Sequence, residues 1–221
     1  FSIAMDMFDA TKDQRYFEYA QRIFPGVSIH RVEPLLSYEG NKGENVSIVL
    51  NTMFNTISER IIKNSENPFG ISKSVAEGQR GFFLSNADAP APLRGSSARI
   101  LALTEVMAQA HRYATGPEKQ DYVYDQFNWL LGNNPFGACL VAGLCAPDNP
   151  LVFLPDGMTI NDIQGFVLHG IGPRSVNEDI PSFSVDAAGI NENTNGFSLA
   201  NNARYISAMA YLKRIPVARP L

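Results

Sequence analysis

Cysteine is almost missing from this chain of 221 residues, and long apolar runs are missing altogether. The only two cysteines, Cys139 and Cys145, lie six residues apart in a glycine-rich segment, so the dense disulfide framework of small secreted domains is excluded. A metal site at this pair is not expected either, because no cluster of cysteine or histidine lies near it in the sequence. A disulfide between the two is sterically possible, but we expect free thiols.

The sequence also lacks an excess of charge of either sign. No apolar run approaches the roughly 18 residues that a membrane-spanning helix needs. The 18 basic and 22 acidic side chains give a net charge of −4 and form no blocks of like charge. Such a balance does not favour the phosphate backbone of nucleic acids or anionic lipid. We therefore expect neither nucleic acid nor a membrane as partner, and neither a cofactor nor a metal ion.

What is present is typical of a globular protein, since 45% of the residues are hydrophobic and can form a core. The first residues, FSIAMDMFDATKDQRYF, begin without methionine and do not have the layout of a signal peptide. We expect the chain to begin within a longer protein.

Helical periodicity dominates the first two thirds of the chain and returns at its end. About six helices are predicted, in SIAMDMFDA, in QRYFEYAQRIF, from about Glu44 to Ser65, after Ser96-Ser97, from Pro117 to Leu131, and in LANNARYISAMAYLKR. Ser96 and Ser97 are candidate N-caps. Gly116-Pro117 separates two helices by a very short turn, which predicts an αα-hairpin. Trp129 follows the helical period and is expected in the core.

The letters NPFG occur twice, at 67–70 and at 134–137, each time after a predicted helix. Asparagine ends the helix, proline prevents its continuation, and glycine permits a sharp turn. A loop from Pro68 to Gly95 follows the first copy, and an irregular region from Asn133 to Asn195 follows the second. Loops of this length on a helical scaffold usually carry binding or catalytic groups.

The second copy belongs to the segment LLGNNPFG at 130–137, which is followed by VAGL at 141–144. With the preceding helix, introduced by Gly95-Ser96-Ser97, this layout resembles the C-terminal half of glycoside hydrolase family 9. In that family a helix runs into a phrase like LLGRNPxGxSFVTGFG and then into loops that line a sugar cleft. The resemblance covers nearly the whole chain.

The resemblance implies an all-α fold, an (α/α)6 toroid of helical hairpins, of which this chain supplies about half together with long irregular loops. Residues 1–221 are then the C-terminal part of a single catalytic domain. The family's N-terminal half carries the Asp-rich motif that activates the attacking water, and this chain has no such motif.

The resemblance also implies a general acid close to the last helix. Glu192 precedes Asn202 by ten residues, which requires an insertion of four relative to the family, whereas an ungapped comparison puts Gly196 at the acid's place. Inverting hydrolysis needs one protonated carboxyl to protonate the leaving oxygen and one carboxylate to activate water. We assign the acid to Glu192 and expect the base in the missing N-terminal part. Glu178, Asp179 and Asp186 are the other candidate acids.

Four further residues are candidates for binding the substrate. His169 is flanked by Gly170 and Gly172, which allow a ligand close to the backbone, although a histidine satisfied by backbone carbonyls is an equal alternative. Arg174 can bind a carboxylate or sulfate, or pair with Glu178.

The other two candidates are Asp148 and Phe83. Asp148 lies in APDNPLVFLPDG, which replaces the family's sugar-contacting His-His-Arg motif. The ring of Phe83, in the first loop, can stack on a sugar ring.

The leading hypothesis is therefore a secreted or periplasmic glycoside hydrolase that acts on a polysaccharide or oligosaccharide and associates with its missing N-terminal half. Two alternatives stay open. Other six-hairpin toroids include polysaccharide lyases, in which a tyrosine, histidine or arginine near a uronic acid removes a proton, and His169 and Arg174 fit that chemistry. In the second alternative, the chain is a non-catalytic carbohydrate-binding relic, in which Gly196 has replaced the acid.

Overall fold

The computed structural model describes residues 2–23, 44–76, 79–84, 93–111, 116–145, 151–176 and 178–213. Within these ranges the α-helices are α1 (Ser2–Thr11), α2 (Gln14–Ile23), α3 (Glu44–Lys63), α4 (Ser97–Ala110), α5 (Pro117–Leu130), α6 (Glu192–Asn195) and α7 (Leu199–Lys213). The few strands form two short antiparallel pairs, β1 (Ser74–Ala76) with β2 (Gln79–Gly81) and β3 (Gly172–Pro173) with β4 (Pro181–Ser182). About half of the structure is helical, so the predicted helical class is confirmed at that level.

Helix α4 packs against α3, α5 and α7, while α1 and α2 pack against each other. Ile100, Leu103, Met107 and Ala110, which recur at three- and four-residue steps, are buried, and so are Leu101, Val106 and Ala108 on the other sides of the helix. Gly116 is the N-cap of α5 and Pro117 its first residue, where the missing N–H of proline costs no helical hydrogen bond. The adjacent, packed pair α4 and α5 agrees with the predicted αα-hairpin.

Both copies of NPFG form the same turn. In each, the asparagine side chain accepts a hydrogen bond from the N–H two residues later, at 3.2 Å. It also donates one to the carbonyl four residues later, at 2.8 Å from Asn67 and 2.7 Å from Asn134. The glycines that close the turns, Gly70 and Gly137, have φ of 65° and 58°, the left-handed region that glycine adopts most readily. The repeated letters therefore predict a repeated local structure.

The core is centred on Trp129, which is fully buried as predicted. Phe69 of the first NPFG turn meets its ring edge-on, with centroids 5.4 Å apart, and Phe83 stacks on it at 6.2 Å. The side chain of Gln126, also on α5, donates a 2.7 Å hydrogen bond to the Gly70 carbonyl. Helix α5 thus holds the first turn by both aromatic packing and a polar contact.

The irregular region after α5 consists of extended segments that pair through their backbones. Leu168 N donates to Leu140 O at 2.9 Å, and Ala142 N donates to Phe166 O at 2.9 Å. Leu140, Ala142 and Leu168 are fully buried. This region is therefore a packed second layer against the helices.

The expectation of free thiols is wrong, because Cys139 and Cys145 form a disulfide. Their Cα atoms lie 6.2 Å apart, within the range of about 4.4–6.8 Å that a disulfide needs. Gly143, with φ of 68°, lets the chain reverse direction between the two cysteines. This close approach depends on the turn and cannot be deduced from the spacing of the cysteines alone.

The hydroxyl groups of Ser96 and Ser97 do not cap α4, since neither has a hydrogen-bond partner among the described residues. The backbone N–H of Ser96 donates instead to Ile171 O at 2.8 Å, and that of Ser97 to His169 O at 3.0 Å. The start of α4 is therefore satisfied by carbonyls of the distant loop, which fixes that loop against the helix.

Helix α7 turns an apolar face to solvent. The helical period places Leu199, Ile206 and Met209 on one face with Leu212. Leu199 is 77% exposed, Ile206 64% and Met209 36%. The side that packs against α4 carries the buried Asn201 and Ala208 instead. Because the helix is apolar on both sides, its periodicity cannot tell which side faces the core. Within the described ranges, no helix is long and apolar enough to cross a membrane.

Candidate functional site

The segment around His169 is the point where three parts of the chain meet. His169 N donates to Gly196 O at 2.7 Å, and Gly170 N donates to Thr194 O at 2.9 Å. On the other side, Gly95 N donates to Asn193 O at 2.9 Å. The start of α4, the His169 segment and the end of α6 are therefore joined by backbone hydrogen bonds. The backbone positions from which their side chains project are therefore held together.

The imidazole of His169 packs against a glycine. His169 is only 4% exposed, and a Cβ atom added to Gly196 would lie 3.1 Å from its Cδ2 and would overlap the Glu192 carbonyl. Among the described residues, no hydrogen bond to the imidazole ring is found. The hydrogen bonds of His169 are made by its backbone. A side chain at position 196 would therefore collide with the Glu192 carbonyl and crowd the ring.

The ring of His169 lies near one positively and one negatively charged side chain. Burial is the main cause that lowers its pKa, and the nearby Arg94 guanidinium lowers it further, while Glu192 acts in the opposite direction. His169 is therefore neutral near pH 7, with one ring nitrogen able to donate and the other able to accept a hydrogen bond. That is a suitable state for binding a hydroxyl group.

Glu192 is the first residue of α6, a single turn whose N-cap is Asn191. Its carboxylate lies 4.0 Å from the Arg94 guanidinium, and the side chains are 68% and 45% exposed, respectively. The pair is solvated and contributes little to stability by itself. Glu192, Arg94 and His169 thus form a cluster of an acid, a cation and a base at the junction of the three segments, in which Glu192 and Arg94 are exposed and His169 is buried.

Arg174 and Glu178 pair with each other. The Arg174 Nη2 atom lies 3.3 Å from Glu178 Oε2, and both side chains are largely in solvent. The pKa of Glu178 is lowered, first by the hydroxyl of Ser175 and then by Arg174. No hydrogen bond or ion pair joins Arg174 to His169 in the described part of the chain. The structural pairing, one of the two interpretations of Arg174, is the one seen.

Asp179 and Phe83 have local structural contacts. Asp179 Oδ1 accepts a 2.7 Å hydrogen bond from Phe83 N, and its carboxyl covers Gly81, where a Cβ would overlap it. Phe83 is 7% exposed and stacks on Trp129. It is a core residue in this structure and presents no free ring face for sugar. Of the other sequence candidates, Asp186 is exposed at the start of a 3-10 turn, and Asp148 lies outside the described residues.

Two residues of the site, Arg94 and Asn195, could not be predicted from the sequence. Arg94 lies 98 positions before its partner Glu192, 192 − 94, and no local pattern links them. Asn195 is fully buried and donates to Leu151 O at 2.9 Å and to Ser184 O at 3.1 Å. Its neighbours in NENTNG give no sign of this role. In the described ranges no group of three or more metal-ligating side chains is found.

Comparison with known proteins gives similarity at the level of the fold. No family model matches the chain, and a search of curated proteins gives no match. Among solved structures, the chain is similar to a metagenome-derived glycoside hydrolase family 9 endoglucanase, with a TM-score of 0.60 and 18% sequence identity over 95% of this chain. It is also similar to a GH9 protein of Bacteroides ovatus, with a TM-score of 0.61 and 18% identity over 97% of this chain. In both cases it spans 39% of the other chain.

Proposed function

We propose that this chain is the C-terminal part of a glycoside hydrolase domain that cleaves a polysaccharide or oligosaccharide with inversion. The observation that carries the proposal is the match of nearly the whole chain to the fold of a family 9 endoglucanase. The phrase LLGNNPFG at 130–137 supports it independently, because it resembles the same family in sequence. On this proposal the domain is an (α/α)6 toroid of helical hairpins, and the described helices are part of it.

In this proposal Glu192 is the general acid. Its carboxyl is accessible at the N-terminus of a turn whose backbone is anchored to the His169 segment, so its position is fixed while its side chain can reach a ligand. A catalytic acid works in surroundings that keep it protonated until it donates. We propose that the bound glycan and the rest of the domain exclude the solvent that now surrounds Glu192.

His169 and Arg94 are assigned to substrate binding. The neutral imidazole can hydrogen-bond a sugar hydroxyl, and Arg94 can do so with its guanidinium when it leaves Glu192. The catalytic base is assigned to a part of the domain outside this chain.

The partner in this proposal is the remainder of the same domain, and the exposed face of α7 supports it. Leu199, Ile206 and Met209 form an apolar surface of the kind that marks contact with another protein segment. The chain spans 39% of the similar structures, which leaves more than half of such a fold to supply that contact. The disulfide Cys139–Cys145 supports a secreted or periplasmic location, because disulfides persist in oxidising compartments.

The test is Glu192→Gln in the whole protein that contains this chain. Glutamine keeps the shape and cannot donate the proton, so hydrolysis of a β-glucan is expected to fall about 10²- to 10⁴-fold. Aryl glycosides with an acidic phenol as leaving group need no protonation and should be hydrolysed at close to the wild-type rate. Glu66→Gln, an exposed loop carboxylate away from the site, is the matched control.

Each other outcome identifies a different function. Equal activity of Glu192→Gln and wild type on the polymer would remove Glu192 as the acid, and Glu178→Gln would then test the next candidate. Ultraviolet-absorbing unsaturated products from uronate polymers would indicate a lyase. Binding of glycans with no turnover of any would favour the carbohydrate-binding relic.

A further inference from the structure

A cavity of about 150 Å³ lies beside the second NPFG turn, outside the cluster of Glu192, Arg94 and His169. Phe136 and Gly137 of the turn form one wall, and Leu151 and the segment 183–185 form the other. The Phe136 and Phe183 rings are 6.0 Å apart between centroids and tilted by 56°. Each wall of the cavity therefore contains one aromatic ring, Phe136 in the first and Phe183 in the second.

The mouth of the cavity is open at two positions. Gly137 has no atom within 4 Å of the place where a Cβ would stand. Val185 is 55% exposed. The side chain of position 185 therefore stands in solvent at the rim, where it can be replaced without disturbing the core.

The wall formed by Leu151 and the segment 183–185 is held by a single buried side chain, Asn195. Its Nδ2 donates to Leu151 O at 2.9 Å and to Ser184 O at 3.1 Å. Its carbonyl oxygen accepts from Phe153 N at 3.0 Å, and its Oδ1 accepts from Thr194 Oγ1 at 2.8 Å. With these polar groups of Asn195 used, the spacing of Leu151 and Ser184 within this wall is fixed before any ligand binds.

The size and the chemistry of the walls limit the ligand. A protein cavity of about 150 Å³ accommodates one six-membered ring. None of the lining residues is charged, so an ionic ligand would find no partner. Phenyl rings suit the C–H face of a ring, and the hydroxyl oxygen of Ser184, which donates to Asp186 O at 2.7 Å, can still accept a hydrogen bond from the ring's edge.

We propose that this cavity binds one neutral sugar ring of the glycan, with the partly exposed ring of Phe136 against its C–H face, the buried Phe183 behind it, and Asn195 as the positioning residue of the wall opposite Phe136. The inference rests on the proposed function for the identity of the ring. Glu192 begins and Asn195 ends the same helical turn, α6. One wall of the cavity and the proposed acid are therefore supported by one element.

The test measures binding directly in the whole protein, by isothermal titration with methyl β-glucoside, methyl β-galactoside and methyl α-mannoside, and with cyclohexanol as an apolar ring of similar size. At least one glycoside is expected to bind, more tightly than cyclohexanol. Val185→Phe should fill the mouth and weaken that binding by more than about tenfold. Val185→Thr, which keeps the shape of valine, should bind like wild type.

The outcomes separate this inference from the proposed function. Failure of all three glycosides to bind better than cyclohexanol, or equal binding by Val185→Phe and Val185→Thr, would overturn the cavity assignment, even if hydrolysis depends on Glu192. Binding that survives in Glu192→Gln and disappears in Val185→Phe supports it, even if no glycan is hydrolysed. If Val185→Phe has a lowered melting temperature, Val185→Leu provides a smaller filling residue for the same comparison.

Discussion

The two asparagines of the NPFG turns should differ in their importance for stability, and the structure indicates by how much. Asn134 is 7% exposed and makes four hydrogen bonds, donating to Trp129 O and Ala138 O and accepting from Phe136 N and Ala138 N. Asn67 is half-buried and makes two, to Ile71 O and from Phe69 N. The same local motif therefore has twice as many side-chain contacts in the second copy.

At about 1 kcal/mol of net stability for each hydrogen bond, Asn134→Ala should cost about 4 kcal/mol. The partners that it leaves are buried, and this adds to the cost. Asn67→Ala should cost about 1–2 kcal/mol, because fewer bonds are lost and water can reach the turn. The difference between these matched substitutions is more secure than either value, since both remove the same atoms from the same kind of turn.

The measurement is urea unfolding of both variants in the whole protein, followed by far-ultraviolet circular dichroism, with wild type and Glu66→Gln as references. The midpoint should fall at least twice as far for Asn134→Ala as for Asn67→Ala, with the slopes unchanged. Asn134→Asp keeps both acceptor contacts but faces two carbonyls with a carboxylate, so at pH 7 it should be at least as damaging as alanine. Equal costs at the two positions, or a larger cost at Asn67, would refute the reasoning.

Three other consequences can be measured independently. The loop closed by Cys139 and Cys145 is short, so replacing both by serine should cost about 2 kcal/mol, and a thiol assay on the unfolded wild type should detect no free thiol from this pair. Burial lowers the pKa of His169 in the folded protein. Below pH about 6.5 the unfolded state therefore binds more protons than the folded state, and the free energy of unfolding falls as the pH is lowered until the pKa of the folded state is reached. His169→Asn should flatten the dependence of the unfolding free energy between pH 5 and 7, and an unchanged slope would exclude the assignment. Phe83→Ala should cost about 3–5 kcal/mol and shift the fluorescence of Trp129, because the two rings stack in the core; a cost below about 1 kcal/mol would contradict its burial.

Helices and turns could be predicted from the sequence because their signals are local. The stripe of α4, the proline at the start of α5 and both NPFG turns depend on residues a few positions apart. The orientation of α7 could not, because apolar residues occur on both of its sides, with Leu199 and Ile206 on one and Ala208 on the other. Only the surroundings, with α4 on one side, determine which face is buried.

Only part of the candidate cluster could be proposed from the sequence. The resemblance pointed to Glu192, and the loop position of His169 suggested a binding role. The resulting cluster depends on Arg94, which no spacing rule links to either residue. Phe83 shows the opposite error, since an aromatic residue in a loop suggests a sugar platform until its distant partner, Trp129, is known.

The two NPFG turns show how far a motif can be interpreted. Both turns have the same hydrogen bonds at their asparagine, but Phe69 meets Trp129 in the core, whereas Phe136 meets Phe183 beside an open cavity. The difference comes from the chain that faces each turn: helix α5 in the first case, and the loop fixed by Asn195 in the second. The motif determines the local turn, and the segment that faces it determines whether its aromatic ring packs in the core or lies beside a cavity.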